Sequence, residues 1–245
     1  MEPRDLAERA EHGRPDTTAA AENFAGWGIM GLPFRSGHVL GLRRFPASSV
    51  GPGYSSVWHR DPNGAWTFYS DVEPLQSCNR YFGLAVERFV RAAIEIAWSG
   101  PRSLSVRMPA EAFNWELELA PTPVTRAMNA LGSVLPEKLW HSARFLGVMG
   151  AVAGPALGAG RIRLQGRAPN GQAFIANARL TWVVASSRAQ MDEVDFGEPG
   201  ALPEQASLGD FMIPQRGMFA AGGASFEPFD PDRHASCATR PADDP

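Results

Sequence analysis

The sequence predicts a mainly β protein: an antiparallel meander that closes into a barrel or a strongly curved sheet and is interrupted by one helical insertion. Three observations carry this reading. A Pro-Asn-Gly turn occurs twice, at Asp61-Pro62-Asn63-Gly64 and Ala168-Pro169-Asn170-Gly171, each copy between segments that alternate apolar and polar residues. Proline presets φ at the second turn position, asparagine tolerates the third, and glycine takes the left-handed conformation that closes a hairpin. Strict alternation runs through residues 94–98, 103–108 and 113–119. From Thr122 to Gly158 the period changes, with Val124, Met128, Leu131 and Leu135 recurring at helical spacing.

Taken in order, residues 1–22 are charged and alanine-rich and read as a flexible tail with a transient helix. Residues 23–227 form a single β-barrel domain, in which the glycine-rich run to Gly37 wanders before a first clear strand at His38 to Phe45. Tyr54 to Arg60 and Ala65 to Asp71 make the first hairpin, whose register places Trp58 opposite Phe68, His59 opposite Thr67 and Arg60 opposite Trp66. Ile94, Ile96 and Trp98 turn through Ser99-Gly100-Pro101-Arg102 into Leu104, Val106 and Met108, and the strand Phe113 to Leu119 follows. The helical insertion spans 122–158, with Leu135, Leu139, Phe145, Val148, Met149 and Val152 as an apolar stripe that is expected to cover a barrel end as a lid, in preference to pairing with another subunit or resting on a lipid surface. Arg161 to Arg167 and Ala173 to Val184 flank the second turn, which places Ile162 opposite Ala178 and Arg163 opposite Asn177. Ser186-Ser187-Arg188 reads as a turn into a short strand near Met191, and one more strand is expected around Phe211 to Phe219. Residues 228–245 read as a disordered tail.

Composition narrows the function. With 245 residues, 44% of them hydrophobic, the chain can bury a substantial core. Its 23 basic residues include one lysine, Lys138, so the rest are arginines, a bias that fits a high-G+C bacterial genome. The net charge is −3, and no basic run interleaves with aromatics, so nucleic acid is not an expected partner. The N-terminus lacks the basic and apolar regions of a signal peptide, and a cytoplasmic location is expected. The longest uncharged stretch, Phe145 to Gly160, contains Pro155 and is too short to span a membrane, although contact with a lipid surface stays open. Two cysteines, Cys78 and Cys237, give no disulfide framework, and no histidine or carboxylate spacing suggests a metal. P-loop, Rossmann and Gly-Xaa-Ser-Xaa-Gly motifs are absent, and no cofactor is expected.

The apolar strand faces carry Trp58, Phe68, Trp98, Phe113, Trp115, Phe174 and Trp182. Ordinary core packing accounts for them, and so does the lining of a ligand cavity, because an indole N–H asks for a partner. On the cavity reading the ligand-binding residues are Trp58, Phe68, Trp98, Trp115 and Trp182, with Arg60 and Trp66 at the mouth facing a polar head group. His59, Tyr69 and Asp71 project to one face near the first turn and are the candidate acid–base group, against the plainer reading that they are surface residues.

The long meander, the aromatic faces and the late helical segment resemble lipocalin-type (calycin) barrels, in particular the bacterial hydroxyneurosporene-synthase and AttH-like group, over residues 23 to 220. The glycine and tryptophan near the first strand are adjacent, Gly26-Trp27, where lipocalins have Gly-Xaa-Trp, so no functional residue transfers by motif. The resemblance implies a site for an isoprenoid-, polyketide- or fatty-acid-like molecule, as in natural-product metabolism. Two functions follow: a cofactor-independent enzyme that cyclises, isomerises or hydrates an apolar substrate, or a non-catalytic carrier with the same pocket. An enzyme should place a titratable group against the apolar lining, which a carrier need not do.

Overall fold

The computed structural model describes residues 1–13 and 21–237. Its strands are β1 (Glu22–Pro33), β2 (Val39–Ser48), β3 (Tyr54–Arg60), β4 (Trp66–Ser70), β5 (Arg88–Arg91), β6 (Glu95–Trp98), β7 (Ser103–Met108), β8 (Phe113–Ala120), β9 (Gln165–Arg167), β10 (Ala173–Met191), β11 (Val194–Asp195), β12 (Ser207–Leu208), β13 (Phe211–Met212) and β14 (Met218–Phe226). The α-helices are α1 (Pro3–Ala10), α2 (Asn79–Phe82), α3 (Pro123–Val134) and α4 (Ala143–Leu157). The main sheet runs β5-β4-β3-β2-β1-β14-β10-β8-β7-β6, with β9 and β11 attached to β10. It curls into a half-barrel, so of the two closures expected it is the strongly curved sheet that forms. All pairings along it are antiparallel except β4 with β5, which are parallel across a connection containing α2.

Both Pro-Asn-Gly segments turn as their chemistry requires, with φ of +101° at Gly64 and +94° at Gly171. The first hairpin has the expected pairs Trp58 with Phe68, His59 with Thr67 and Arg60 with Trp66. Valine at Gly64 would force a β-branched residue into this left-handed conformation, so Gly64→Val is expected to destabilise by about 1–2 kcal/mol and Asn63→Asp to change little. Thermal melts of the two variants check this. In the second hairpin Arg167 pairs with Ala173 and Gln165 with Ile175, the expected register, which ends one residue further on with the Ala176 amide donating to the Leu164 oxygen at 2.7 Å. Ile162 and Arg163 do not pair with Ala178 and Asn177. The segment before β9 instead lies against α4, where a Cβ at Gly150 would stand 2.6 Å from the Ile162 oxygen and one at Gly154 2.2 Å from the Gly160 oxygen.

Other differences have local reasons. The run expected to wander is the central strand β1. Gly26 and Gly28 meet the main chain of β2, a Cβ at Gly26 falling 2.0 Å from the Arg44 oxygen, so they permit close pairing rather than mark a loop. β10 does not turn at Ser186-Ser187-Arg188 but continues to Met191 through a register shift between Val184 and Ser186. The first residues are not a free tail: Pro3 opens α1, Glu2 and Asp5 form a capping box, Leu6 and Ala7 are buried, and Arg102 grips Glu2 at 2.5 and 2.8 Å. Residues 228–237 also pack, with the Ala235 amide donating to the Asn170 oxygen and Cys237 buried; the rest of the expected tail lies outside the described residues.

Because the sheet is curled, it has two distinct cores. One joins Trp27, Ile29, Leu40, Leu42 and Val57 of the early strands to Leu104, Val106, Trp115 and Trp182 of the late ones. Only curling brings these together; Trp27 on β1 and Trp98 on β6, the latter an edge strand, have ring centroids 5.6 Å apart. This inside face is solidly packed, with Val106 and Trp115 fully buried. The second core, on the other face, gathers Phe24, Tyr54, Trp58, Trp66, Phe68, Phe174 and Phe226 beneath a cap that contributes Cys78, Tyr81, Phe82 and Ile213.

Candidate functional site

The sheet centre is poor in side chains. Gly26 and Gly222 are register partners, and Gly223, Ala224, Ala176 and Ala178 continue the patch across β14 and β10. The glycines are dictated by backbone approach at irregularities in pairing: a Cβ at Gly222 would lie 1.7 Å from the Asn177 oxygen, beside the register shift between Ala178 and Leu180. These small residues floor a cavity walled by Phe24, Phe45, Tyr54, Trp58, Phe174 and Phe226 and capped by Tyr81 and Phe82 of α2 and Phe211 of β13. The unfilled space, open solvent at its mouth included, is about 690 Å³, and the volume open to the centre of a water-sized sphere is about 80 Å³.

The cap is anchored by polar bonds at its rim. Glu22 on β1 accepts from Arg80 at 2.6 and 3.1 Å and from the Tyr81 hydroxyl at 2.6 Å, which stacks the Tyr81 ring on Phe226 at 3.6 Å between centroids. Phe82 tilts against Trp58 at 5.1 Å, and Phe211 meets Phe174 at 6.1 Å. Phe174 and Phe226 also border a neighbouring open groove that runs past Leu146 and Gly147 of α4, Ile162 and Asp210. The insertion therefore lines this groove, not the cavity.

One cation enters this apolar wall. Arg43, 4% exposed, donates Nη1 hydrogen bonds to the oxygens of Ile29 (2.6 Å) and Leu42 (2.9 Å) and an Nη2 bond to that of Met30 (3.1 Å). Its guanidinium sits 4.3 Å from the Trp58 ring centroid and 5.5 Å from that of Phe211. Burial draws Arg43 down to about 10, pushes the Cys78 thiol up to about 11, and pushes the Tyr54 and Tyr81 hydroxyls well above their usual range. Tyr54 Oη and Cys78 Sγ share a 3.0 Å contact. The buried indole nitrogen of Trp58, on the lining, has no hydrogen-bond partner among the described residues.

The residues singled out from the sequence separate. Trp58 lines the cavity, with Phe68 stacked on it at 4.3 Å and Trp66 edge-on to Phe68 at 6.3 Å. Arg60 reaches the main-chain oxygens of Gly37 and Asp61 instead of the cavity. Trp98, Trp115 and Trp182 belong to the other core, where Trp115 donates to Ser187 Oγ at 2.9 Å. His59, Tyr69 and Asp71 share a face but stand on alternate rungs, and each bonds a different partner. His59 bonds His38 at 2.9 Å and stacks on Phe196, the Tyr69 hydroxyl points to Met191 Sδ at 3.8 Å, and Asp71 accepts from the Ser55 amide at 2.8 Å. Burial, then the neighbouring His38, draws His59 down to about 4. Arg43 was available to sequence reasoning: in the strand from His38 to Phe45 its parity matches Val39 and Phe45 rather than the polar face.

Among the described residues no group of three or more His, Cys, Asp or Glu side chains could hold a metal, and no helix is long and apolar enough to cross a membrane. Comparison with protein-family models, with curated proteins and with solved structures returns no match.

Proposed function

We propose that this protein binds an apolar small molecule in the cavity between the sheet centre and the Tyr81–Phe82 and Phe211 cap. The observation that carries the reading is a patch of glycine and alanine, floor to a ring of aromatic walls, which leaves space where a sheet face ordinarily packs solid. Isoprenoid, polyketide and fatty-acid chains share the chemistry this wall accepts. The titratable lining residues favour binding over acid–base turnover. Tyr54, Cys78 and Tyr81 are held in their neutral forms and Arg43 in its charged form at neutral pH, so none is poised to exchange a proton there. A longer chain would continue past Phe174 and Phe226 into the adjoining groove.

Titration calorimetry with n-alkanols of increasing length tests this reading. Saturable one-to-one binding is expected, strengthening by about 0.8 kcal/mol for each methylene buried until the space is full. Ala224→Leu, which adds bulk between Phe24 and Ala176, is expected to weaken binding of the best alkanol at least tenfold while the protein stays folded. No saturable binding at any chain length would overturn the proposal.

A further inference from the structure

We propose that the ligand is an apolar monocarboxylic acid whose carboxylate is received by Arg43. The inference rests on the reading of the cavity as an apolar ligand site and adds the chemistry of the head group.

A guanidinium taken out of water needs compensation, and this one lacks the usual kind. The cavity lining contains no Asp or Glu, and the hydrogen bonds of Arg43 all go to main-chain oxygens. Arg44, one residue on and facing the other way, shows the contrast by pairing with both oxygens of Glu11. The three carbonyl bonds give Arg43 a structural role, since Ile29 and Met30 lie where the β1–β2 register shifts. They use both Nη1 donors and one on Nη2. The Nε–H and the second Nη2–H have no acceptor among the described residues.

Those are the atoms with which three other arginines of this chain hold carboxylates. Arg44 grips Glu11, Arg80 grips Glu22 and Arg102 grips Glu2, each through Nε and Nη2. A planar carboxylate matches that two-donor edge, and the apolar walls would take its chain. The unpartnered Trp58 indole N–H, on a ring stacked against the guanidinium and lining the same cavity, is a further donor.

Calorimetry with octanoate and 1-octanol at pH 8, where the acid is fully ionised, separates head group from chain. Octanoate is expected to bind at least tenfold more tightly than 1-octanol. In Arg43→Gln and Arg43→Met this preference should vanish, and Arg43→Lys should retain part of it. Should these variants fail to fold, the wild-type protein still decides: octanoate, unlike 1-octanol, should move one buried arginine Nε–H resonance downfield in a nitrogen-15 spectrum. Equal affinities with no such shift would overturn the carboxylate proposal and leave apolar binding intact. Binding of neither compound would overturn both.

Discussion

Gly222→Ala is expected to destabilise the protein by about 3 kcal/mol or more, lowering its melting temperature by roughly 6–12 °C or preventing accumulation of folded protein. The added methyl carbon would stand 1.7 Å from the Asn177 oxygen and 2.9 Å from its carbon, so main chain and not a flexible side chain must move. Gly222 is paired with Gly26 on one side and Ala178 on the other, at the level where β10 shifts register. Movement there would disturb the floor of the cavity as well as the curl of the sheet. Gly147→Ala makes the control, because its Cβ would have ordinary contact with Gln165 at 3.4 Å inside helix α4, where alanine is preferred to glycine. A melting temperature unchanged by Gly222→Ala would show that the sheet centre yields at little cost.

Acidification from pH 7 to pH 5 is expected to remove about 2 kcal/mol of stability through the His38–His59 pair. His59 packs beside the stacked rings of His38 and Phe196, 5.2 and 5.1 Å from their centroids, and its folded-state value of about 4 stands below the ordinary 6.5. His38 is shifted the same way by burial. The unfolded chain therefore binds protons that the folded protein refuses, so stability is full above pH 6.5, begins to fall there, and continues to fall until pH 4. Glu22 and Glu227, drawn below the ordinary 4.5 by hydrogen bonds that form on folding, lose their contribution only at lower pH, which leaves the window between 7 and 5 to the histidines. Denaturant melts at stepped pH check the slope. His59→Phe keeps a ring against Phe196 and cannot be protonated, so it should flatten the curve across that window; an unaltered slope would assign the loss to other groups.

Much of the architecture was legible because its causes are local. Proline, asparagine and glycine at fixed turn positions set the first hairpin's register, and the alternation of Phe113, Trp115, Leu117 and Leu119 with polar neighbours marks β8 as half-buried. The change of period at Thr122 marks the helices, whose first is capped by Thr122 itself. What depended on neighbours was not legible. Gly26 and Gly28 look like loop residues until the carbonyls of Arg44 and Leu42 are placed against them. The segment 160–163 has strand-like alternation, yet the small-residue face of α4 takes it out of the ladder.

The candidate site shows the same division. Sequence alone determined that tryptophans and phenylalanines would fill the faces of the strands, and it determined the parity that sets Trp58 apart from His59. Parity does not tell one face of a curled sheet from the other, and each shift in register reverses it. Only the tertiary structure decided that Trp98, Trp115 and Trp182 fill the solid inside of the curl while Trp58 borders the cavity on the opposite face. It also decided that Arg43 is buried among aromatics with two donors to spare. Both outcomes depend on which distant segments close over each face, and that is settled by packing between residues far apart in the chain.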